Sequence, residues 1–229
     1  FQFNSLIRSI DELVILNVSR DKPNYDHFFN TVDIISKEAF MPISLGGNIS
    51  NEKQAELYFK NGADKVVINS LYYYKASEVS KIIKRYGLQS ITCSVDYKLI
   101  NGKKIVFVNN GSKNSGVEIK DYILKIKKIG FGDLILNSID RDGLGYGYDF
   151  DTMSEIFLKT KSPIIASGGA ENEERLYDGI AKEYISAANT TNIFNFVFDG
   201  LKDARDHIIN KGIDLPNWDF SSLKDDYKN

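Results

Sequence analysis

The sequence has few of the residues that mark disulfide-stabilised or metal-binding proteins. Its 229 residues include one cysteine, two histidines, four prolines and one tryptophan. The cysteine, Cys93, can form no internal disulfide, which favours a reducing compartment, and its apolar neighbours indicate a place in the core. No residues cluster with metal-ligand spacing, so we expect no metal and no cofactor and assign His27 and His207 no role.

Long apolar runs and an excess of charge of one sign are also absent. No run approaches the roughly 18 residues needed to cross a bilayer, and residues 1–5 lack the pattern of a signal peptide. Lysine and arginine total 29 and aspartate and glutamate total 31, so the net charge of −2 predicts no nucleic-acid or membrane surface. We therefore expect a cytoplasmic protein whose partners are small molecules or proteins.

What the sequence does contain is an alternation of short β-branched runs and helical patterns along its length. This alternation predicts parallel strands joined by helices, in one α/β domain over 1–213 with a polar extension over 214–229. The seven predicted strands are Glu12–Val18, Pro42–Gly46, Lys65–Ser70, Ser90–Tyr97, Asp133–Ile139, Pro163–Ser167 and Tyr184–Asn189. After the fourth of these, Asn101-Gly102 predicts the turn of a β-hairpin.

Two pieces of the first half recur in the second half at nearly the same spacing. Glu12–Asp21 aligns with Asp133–Asp142 at an offset of 121 residues (133 − 12), and Ile43–Gly47 aligns with Ile165–Gly169 at an offset of 122 (165 − 43). Chance likeness of strand–turn–helix units is the alternative, but two matches favour a (βα)8 TIM barrel built from two half-barrels. The same offset places one strand before the first residue, so we expect the chain as given to lack the first strand of the barrel.

Glycines and short polar residues follow the strands, where barrels of this class carry their chemistry. Because backbone N–H groups beside a helix start attract anions, these residues predict two phosphate-binding cups and a ligand with a phosphate at each end. The first cup comprises Gly46, Gly47, Asn48, Asn69 and Ser70, the second comprises Gly168, Gly169, Thr191 and Asn192, and Asn137, Asp142 and Gly143 belong to the strand and loop between. The alternative is that the glycine pairs only permit tight turns.

Between the two cups we place Asp96, at the carboxyl end of the fourth predicted strand. A carboxylate there is positioned for general acid or base catalysis on a bound ligand, although it could instead cap the strand or pair with Lys98. Asp140 and Asp142 are further candidates, and we expect one of them to orient its loop through Arg141.

Nearly the whole chain resembles the cyclase subunit of imidazole glycerol phosphate synthase. The most specific stretches are Ile10–Leu16, Asp64–Asn69, Asn110–Gly116, Leu136–Gly143 and Ile164–Ala170. The resemblance implies a cyclase of the lyase type in histidine biosynthesis, in which ammonia from a glutaminase subunit attacks a bisphosphorylated ribulosyl formimino carboxamide. It implies that Asp96 is one of two catalytic aspartates. The other belongs to the first strand, so the chain as given should be inactive by itself.

The resemblance also implies an ammonia gate at Glu12, Lys65 and Asp133, with the glutaminase docking near Asp64. The gate residues open alternate strands at their amino ends, so their side chains could meet around the barrel axis. Without the resemblance they could equally be ordinary polar residues at the boundaries between loops and strands.

The departures from the family concentrate at the end of the barrel that should bind the ligand. Asn48 replaces a glycine, where its side chain would crowd a phosphate or replace one of its contacts, while Asn17 replaces an aspartate and Asn137 a threonine. Because the gate is retained, a second interpretation is an ammonia-channelling barrel that serves amidination of a surface or flagellar sugar. A third is a non-catalytic barrel that binds a phosphorylated ligand, which the intact Asp96 disfavours.

Overall fold

The computed structural model of the protein describes residues 9–19, 23–191 and 200–216. In these residues seven strands form the parallel part of one sheet, and each overlaps one of the seven strands predicted from the sequence. They are β1 (Leu13–Leu16), β2 (Ile43–Gly46), β3 (Lys65–Ile68), β4 (Ile91–Ile100), β7 (Asp133–Ser138), β8 (Ile164–Ser167) and β9 (Ile185–Ala188).

The sheet is curled into a barrel wall. Its parallel strands pair in the order β1-β2-β3-β4-β7-β8-β9, so neighbours in the sheet follow one another along the chain. At the amino ends of the strands, Lys65 of β3 contacts both Glu12, directly before β1, and Asp133 of β7, although no two of these strands are adjacent. Such contacts are expected on the concave side of a curved sheet, where side chains converge. Together with the helices between consecutive strands, they confirm the predicted (βα)8 TIM-barrel fold.

Helices cover the convex face of the sheet. They are α1 (Tyr25–Ser36), α2 (Glu52–Lys60), α3 (Ser70–Tyr74), α4 (Ala76–Tyr86), α5 (Ile119–Ile129), α6 (Phe150–Thr160), α7 (Glu173–Ile180) and α8 (Gly200–Asn210), with a short 3₁₀ turn at Leu88–Ser90. Three of them begin after an asparagine whose side-chain oxygen accepts a hydrogen bond from a backbone N–H of the first turn, which caps the helix: Asn24, Asn51 and Asn172.

The predicted hairpin is confirmed, and it has a third strand. β4 continues to Ile100, turns at Asn101-Gly102 with φ angles of 49° and 77°, and pairs in antiparallel fashion with β5 (Lys103–Val108). Two successive positive φ values are typical of the turn that Asn-Gly favours. β5 then pairs with β6 (Lys113–Glu118), which the sequence did not predict because this largely exposed strand has no apolar alternation.

The core lies between the sheet and the helices. Tyr58 of α2 and Tyr72 of α3 are fully buried, and the Tyr72 hydroxyl donates to Gly130 O at 2.8 Å. Cys93 is also fully buried, which confirms its predicted place in the core, and burial raises the pKa of its thiol. Within the described part of the chain, no helix has the length and apolar character needed to span a membrane.

One buried arginine ties the last described helix to both ends of the described chain. Arg205 of α8 is 8% exposed and donates two hydrogen bonds to the Asp11 carboxylate, at 2.9 and 3.0 Å. It also donates to Pro216 O at 3.1 Å through Nε. The domain boundary expected at 213/214 stays a prediction, since 217–229 lie outside the described residues.

Candidate active site

The carboxyl ends of the parallel strands, called the mouth below, bring Asp96 between two asparagines. Asn69, directly after β3, donates to Asp96 Oδ2 at 2.9 Å, and Asn137 on β7 donates to Asp96 Oδ1 at 3.0 Å. β3 and β7 flank β4 in the sheet, so each neighbouring strand supplies one donor. Lys98 lies instead over the ring of Phe107, with its Nζ 5.2 Å from the ring centroid, so its ammonium is not the partner of Asp96.

The surroundings of Asp96 shift its pKa upward. Burial has the largest effect, because removing water disfavours the ionised carboxylate, and the nearby negative charge of Asp142 acts in the same direction. The hydrogen bonds from Asn137 and Asn69 stabilise the ionised form and oppose the shift without cancelling it. A carboxyl group with a raised pKa is better suited to take up and release a proton near neutral pH than an exposed one.

In the first cup the backbone takes two left-handed residues in succession after β2. Gly47 has φ 92° and Asn48 has φ 56°. A Cβ on Gly47 would overlap the carbonyl oxygen of Asn17 and lie 2.7 Å from its backbone N and C atoms. Glycine is therefore required at position 47 both for its φ and for the close approach of β1.

The side chain of Asn48 is used to join loops. Its Nδ2 donates to the carbonyl oxygens of Asn17 and Ser19, both at 3.2 Å. Its own carbonyl accepts from the Tyr25 hydroxyl at 3.4 Å, and the carbonyl of Gly47 accepts from the Tyr58 hydroxyl. Because the peptides are trans, holding these two carbonyls turns the next N–H groups, those of Asn48 and Ile49, in the opposite direction. No described residue accepts a hydrogen bond from either N–H.

The second cup also has two successive residues with positive φ, and here both are glycines. Gly168 has φ 83° and Gly169 has φ 114°. A Cβ on Gly168 would lie 2.6 Å from Ser138 O, and one on Gly169 would lie 2.9 Å from the carbonyl carbon of Gly147. As in the first cup, the backbone of a neighbouring strand or loop occupies the space that a side chain would need.

The strand register corrects the sequence alignment of the two cups by one residue. Leu13 pairs with Ile43, and Leu134 pairs with Ile164, so the two halves superimpose at an offset of 121 in both strands. Gly47 therefore corresponds to Gly168, and Asn48 to Gly169. The alignment based on sequence had matched the pair Gly46-Gly47 to Gly168-Gly169. In the structure, the pair that corresponds to Gly168-Gly169 is Gly47-Asn48, and all four residues have positive φ.

The loop after β7 is held by different contacts from those expected. The side chain of Arg141 was expected to contact an aspartate of the loop. It donates instead to the backbone carbonyl oxygens of Tyr146 and Gly147, at 3.1 and 3.2 Å. Asp140 accepts from Leu99 N at 2.6 Å and ties the loop to the hairpin. Asp142 and Gly143 are exposed on this loop.

The other residues of the predicted cups contribute to the mouth to different degrees. Ser70 Oγ accepts from Asn109 N at 2.8 Å and so connects the end of β3 to the turn between β5 and β6. Gly46 lies against Val67, where a Cβ would be 2.7 Å from Val67 Cβ. Thr191 is exposed, and Asn192 lies outside the described residues.

At the opposite end of the strands, the three predicted gate residues meet as a charged ring of Glu12, Lys65 and Asp133. Lys65 Nζ lies 2.7 Å from Asp133 Oδ2 and 3.3 Å from Glu12 Oε1. Partial burial alone would lower the pKa of Lys65, but the hydrogen bonds and negative charges of the two carboxylates outweigh it and raise the pKa. Close by, exposed Asp64 accepts from Ile43 N at 2.8 Å and so stabilises the start of β2.

The sequence did not indicate a buried carboxylate beneath the hairpin. Asp149 is 3% exposed, and its Oδ2 accepts from Lys104 at 2.8 Å, Thr152 at 2.8 Å and Tyr97 at 3.2 Å. Burial raises the pKa of Asp149, but the bonds from Lys104 and Thr152 outweigh it and hold the pKa below its usual value. The available signal was an aspartate directly before a helix, which normally indicates only a cap.

Comparison of the sequence with known proteins identifies the family of this chain. The model of the family described as "Histidine biosynthesis protein" matches residues 7–196. The chain is 34% identical over 203 residues to the imidazole glycerol phosphate synthase subunit HisF of Chlorobium luteolum, covering 89% of this chain and 81% of the relative. It is 35% identical over 205 residues to the subunit of the same name from Chlorobium phaeobacteroides, covering 90% and 82% of the two chains.

Proposed function

Because this chain belongs to the histidine biosynthesis protein family, we propose that it is the cyclase subunit of an imidazole glycerol phosphate synthase. In this role it takes ammonia from a glutaminase subunit and a bisphosphorylated ribulosyl formimino carboxamide, and it forms imidazole glycerol phosphate and an aminoimidazole carboxamide ribotide. Cytoplasmic localisation stays a prediction.

The observation that carries the proposal is the position of Asp96. Its carboxylate lies at the mouth between the two cups, held by Asn69 and Asn137, and its pKa is raised. A cyclisation needs a group that moves protons on and off nitrogen as bonds form and break, and such a carboxylate can do so. We assign Asp96 the general acid and base role.

The two cups receive the two phosphates in this proposal. The N–H groups of Asn48 and Ile49 supply donors in the first cup, and the repeated backbone at Gly168 and Gly169 supplies them in the second. Since the amide of Asn48 is engaged by Asn17 and Ser19, we expect phosphate to be bound by backbone groups and not by this side chain.

The charged ring is proposed as the gate through which ammonia enters, and the surface around Asp64 as the place where the glutaminase docks. Both lie at the amino ends of the strands, so ammonia released there would travel along the barrel interior to Asp96. The relatives named above are called synthase subunits, which supports a partner subunit for this chain as well.

A single assay tests the function and the role of Asp96. The full-length protein with an ammonium salt should convert the bisphosphorylated substrate, and Asp96→Asn should lower turnover by at least about 100-fold, as for loss of a general acid or base. Asp33→Asn is the matched control, because Asp33 is an exposed carboxylate on α1 that pairs with Lys37. Undiminished turnover by Asp96→Asn would remove Asp96 from the mechanism.

Absence of turnover in the wild-type protein would argue against the proposal as a whole. If such a protein still bound a glutaminase, sugar amidination would become the better interpretation, although neither relative named above carries that description. If it bound no glutaminase, a barrel that only binds a phosphorylated ligand would be the better interpretation.

A further inference from the structure

Beside the charged ring, the interior of the barrel carries one buried hydroxyl group that has no partner among the described residues. Ser44 Oγ donates to Glu12 Oε1 at 2.7 Å, and Lys65 bridges Glu12 and Asp133, so these groups satisfy one another. Thr92 is 2% exposed, and its Oγ1 has no hydrogen-bond partner among the described residues. Buried hydroxyl groups in folded proteins nearly always have a partner, so this one calls for a ligand or a water.

The position of Thr92 relates it to the ring. Strand β4 lies between β3 and β7, so the Lys65–Asp133 ion pair spans the amino end of β4. In the parallel register Thr92 pairs with Val67 on one side and Asp133 on the other. Paired residues of parallel strands face the same side of a sheet, so Thr92 faces the interior directly beside the ion pair.

From Thr92, β4 presents polar groups toward the mouth. Alternate residues of a strand face the same side, so Ser94 and Asp96 follow Thr92 on the interior face over about 13 Å. The interior positions at the same levels on the neighbouring strands include the apolar residues Val67 and Ile135. The interior face of β4 therefore carries a row of polar side chains between neighbouring strands whose interior residues are largely apolar at these levels. This row extends from the charged ring at one end to Asp96 at the other.

We propose that Thr92 Oγ1 binds one small, neutral, hydrogen-bonding molecule, which is water at rest and ammonia during turnover. A hydroxyl group can donate to the nitrogen lone pair of ammonia and accept from one of its N–H groups, as it does with water. Thr92 is then the first binding position past the charged ring on the path to Asp96. The assignment of ammonia rests on the proposed function. The inference that Thr92 Oγ1 has a bound partner does not depend on it.

Thermal unfolding of the full-length protein tests whether Thr92 has a bound partner. If the hydroxyl is dry and unpaired, Thr92→Val should raise the unfolding midpoint by about 2–8 °C. If a water is bound, the midpoint of Thr92→Val should stay level or fall, and Thr92→Ser should keep the water. Thr160→Val is the control, because Thr160 is equally buried and its Oγ1 donates to Ile156 O at 2.8 Å, so its midpoint should fall.

A high-resolution crystal structure gives the second readout. The proposal expects a water within hydrogen-bond distance of Thr92 Oγ1 in the wild-type protein and none at this place in Thr92→Val. A raised midpoint for Thr92→Val together with an empty wild-type site would overturn the proposal.

Kinetics of the complex with its glutaminase test the ammonia assignment. Loss of one hydrogen bond on the path should lower the ratio of glutamine-driven to ammonium-driven turnover by about 2- to 10-fold in Thr92→Val, while Thr92→Ser keeps it. An unchanged ratio in Thr92→Val would overturn the assignment of ammonia. If the wild-type protein turns over nothing, the proposed function has failed, and the unfolding and crystallographic results still decide whether Thr92 binds a partner.

Discussion

Two glycines with nearly the same φ angle and different surroundings allow a sharp test of the first cup. Gly47 has φ 92° and Gly62 has φ 91°. A Cβ on Gly47 would overlap the backbone of Asn17, whereas a Cβ on Gly62 would meet no atom within 4 Å. Replacing each by alanine therefore imposes the same left-handed strain, and only the change at Gly47 adds a collision.

The expected magnitudes follow from these contacts. Strain alone should cost about 1–2 kcal/mol for Gly62→Ala. In Gly47→Ala, the new Cβ must also displace Asn17, whose N donates to Gly46 O at 2.8 Å and whose carbonyl accepts from Asn48. Loss of these two hydrogen bonds at about 1 kcal/mol each brings the total for Gly47→Ala to roughly 3–4 kcal/mol.

Urea unfolding followed by circular dichroism, with thermal melts, would measure both variants. At about 2–4 °C per kcal/mol for a chain of this size, the melting temperature should fall by roughly 2–8 °C for Gly62→Ala and 6–16 °C for Gly47→Ala. Equal losses in the two variants would show that β1 does not approach Gly47 closely, and the reasoning about the first cup would be wrong.

Three further predictions concern buried or partly buried charges. The pKa of Asp96 is raised in the folded protein, so the wild type should lose stability relative to Asp96→Asn as this carboxyl group ionises. The difference in unfolding free energy, wild type minus variant, should fall between the pKa of the unfolded chain, about 3.9, and the pKa of the folded protein, and then level off. A difference independent of pH would contradict this. Lys104→Met should cost about 1–3 kcal/mol at pH 7, because it leaves the Asp149 carboxylate buried without its ion pair, and urea titration should show the loss shrinking as pH falls through the lowered pKa of Asp149. Arg205→Met should cost about 1–3 kcal/mol by releasing Asp11 and the carbonyl of Pro216, and a melting temperature equal to that of the wild type would refute the role of this contact.

Local patterns were sufficient for the strands and for the hairpin turn. β-Branched runs predicted the parallel strands, and Asn101-Gly102 predicted the turn between β4 and β5, because each of these depends on a few consecutive residues. Strand β6 escaped prediction because its residues are largely exposed and carry no apolar period. The family resemblance singled out Glu12, Lys65 and Asp133, and the structure brings Lys65 into contact with both carboxylates.

The sequence by itself determined which residues stand at the ends of the strands, and this was enough to nominate Asp96 and the glycines of both cups. Only the tertiary structure decided how these residues are paired: that Asn69 and Asn137 hold Asp96, that Asn48 corresponds to Gly169, and that Thr92 Oγ1 has no partner within the described part of the chain. The physical reason is that hydrogen bonds between strands depend on register and on the curl of the sheet. Both are set by contacts between segments far apart in the chain, on which no local pattern carries information.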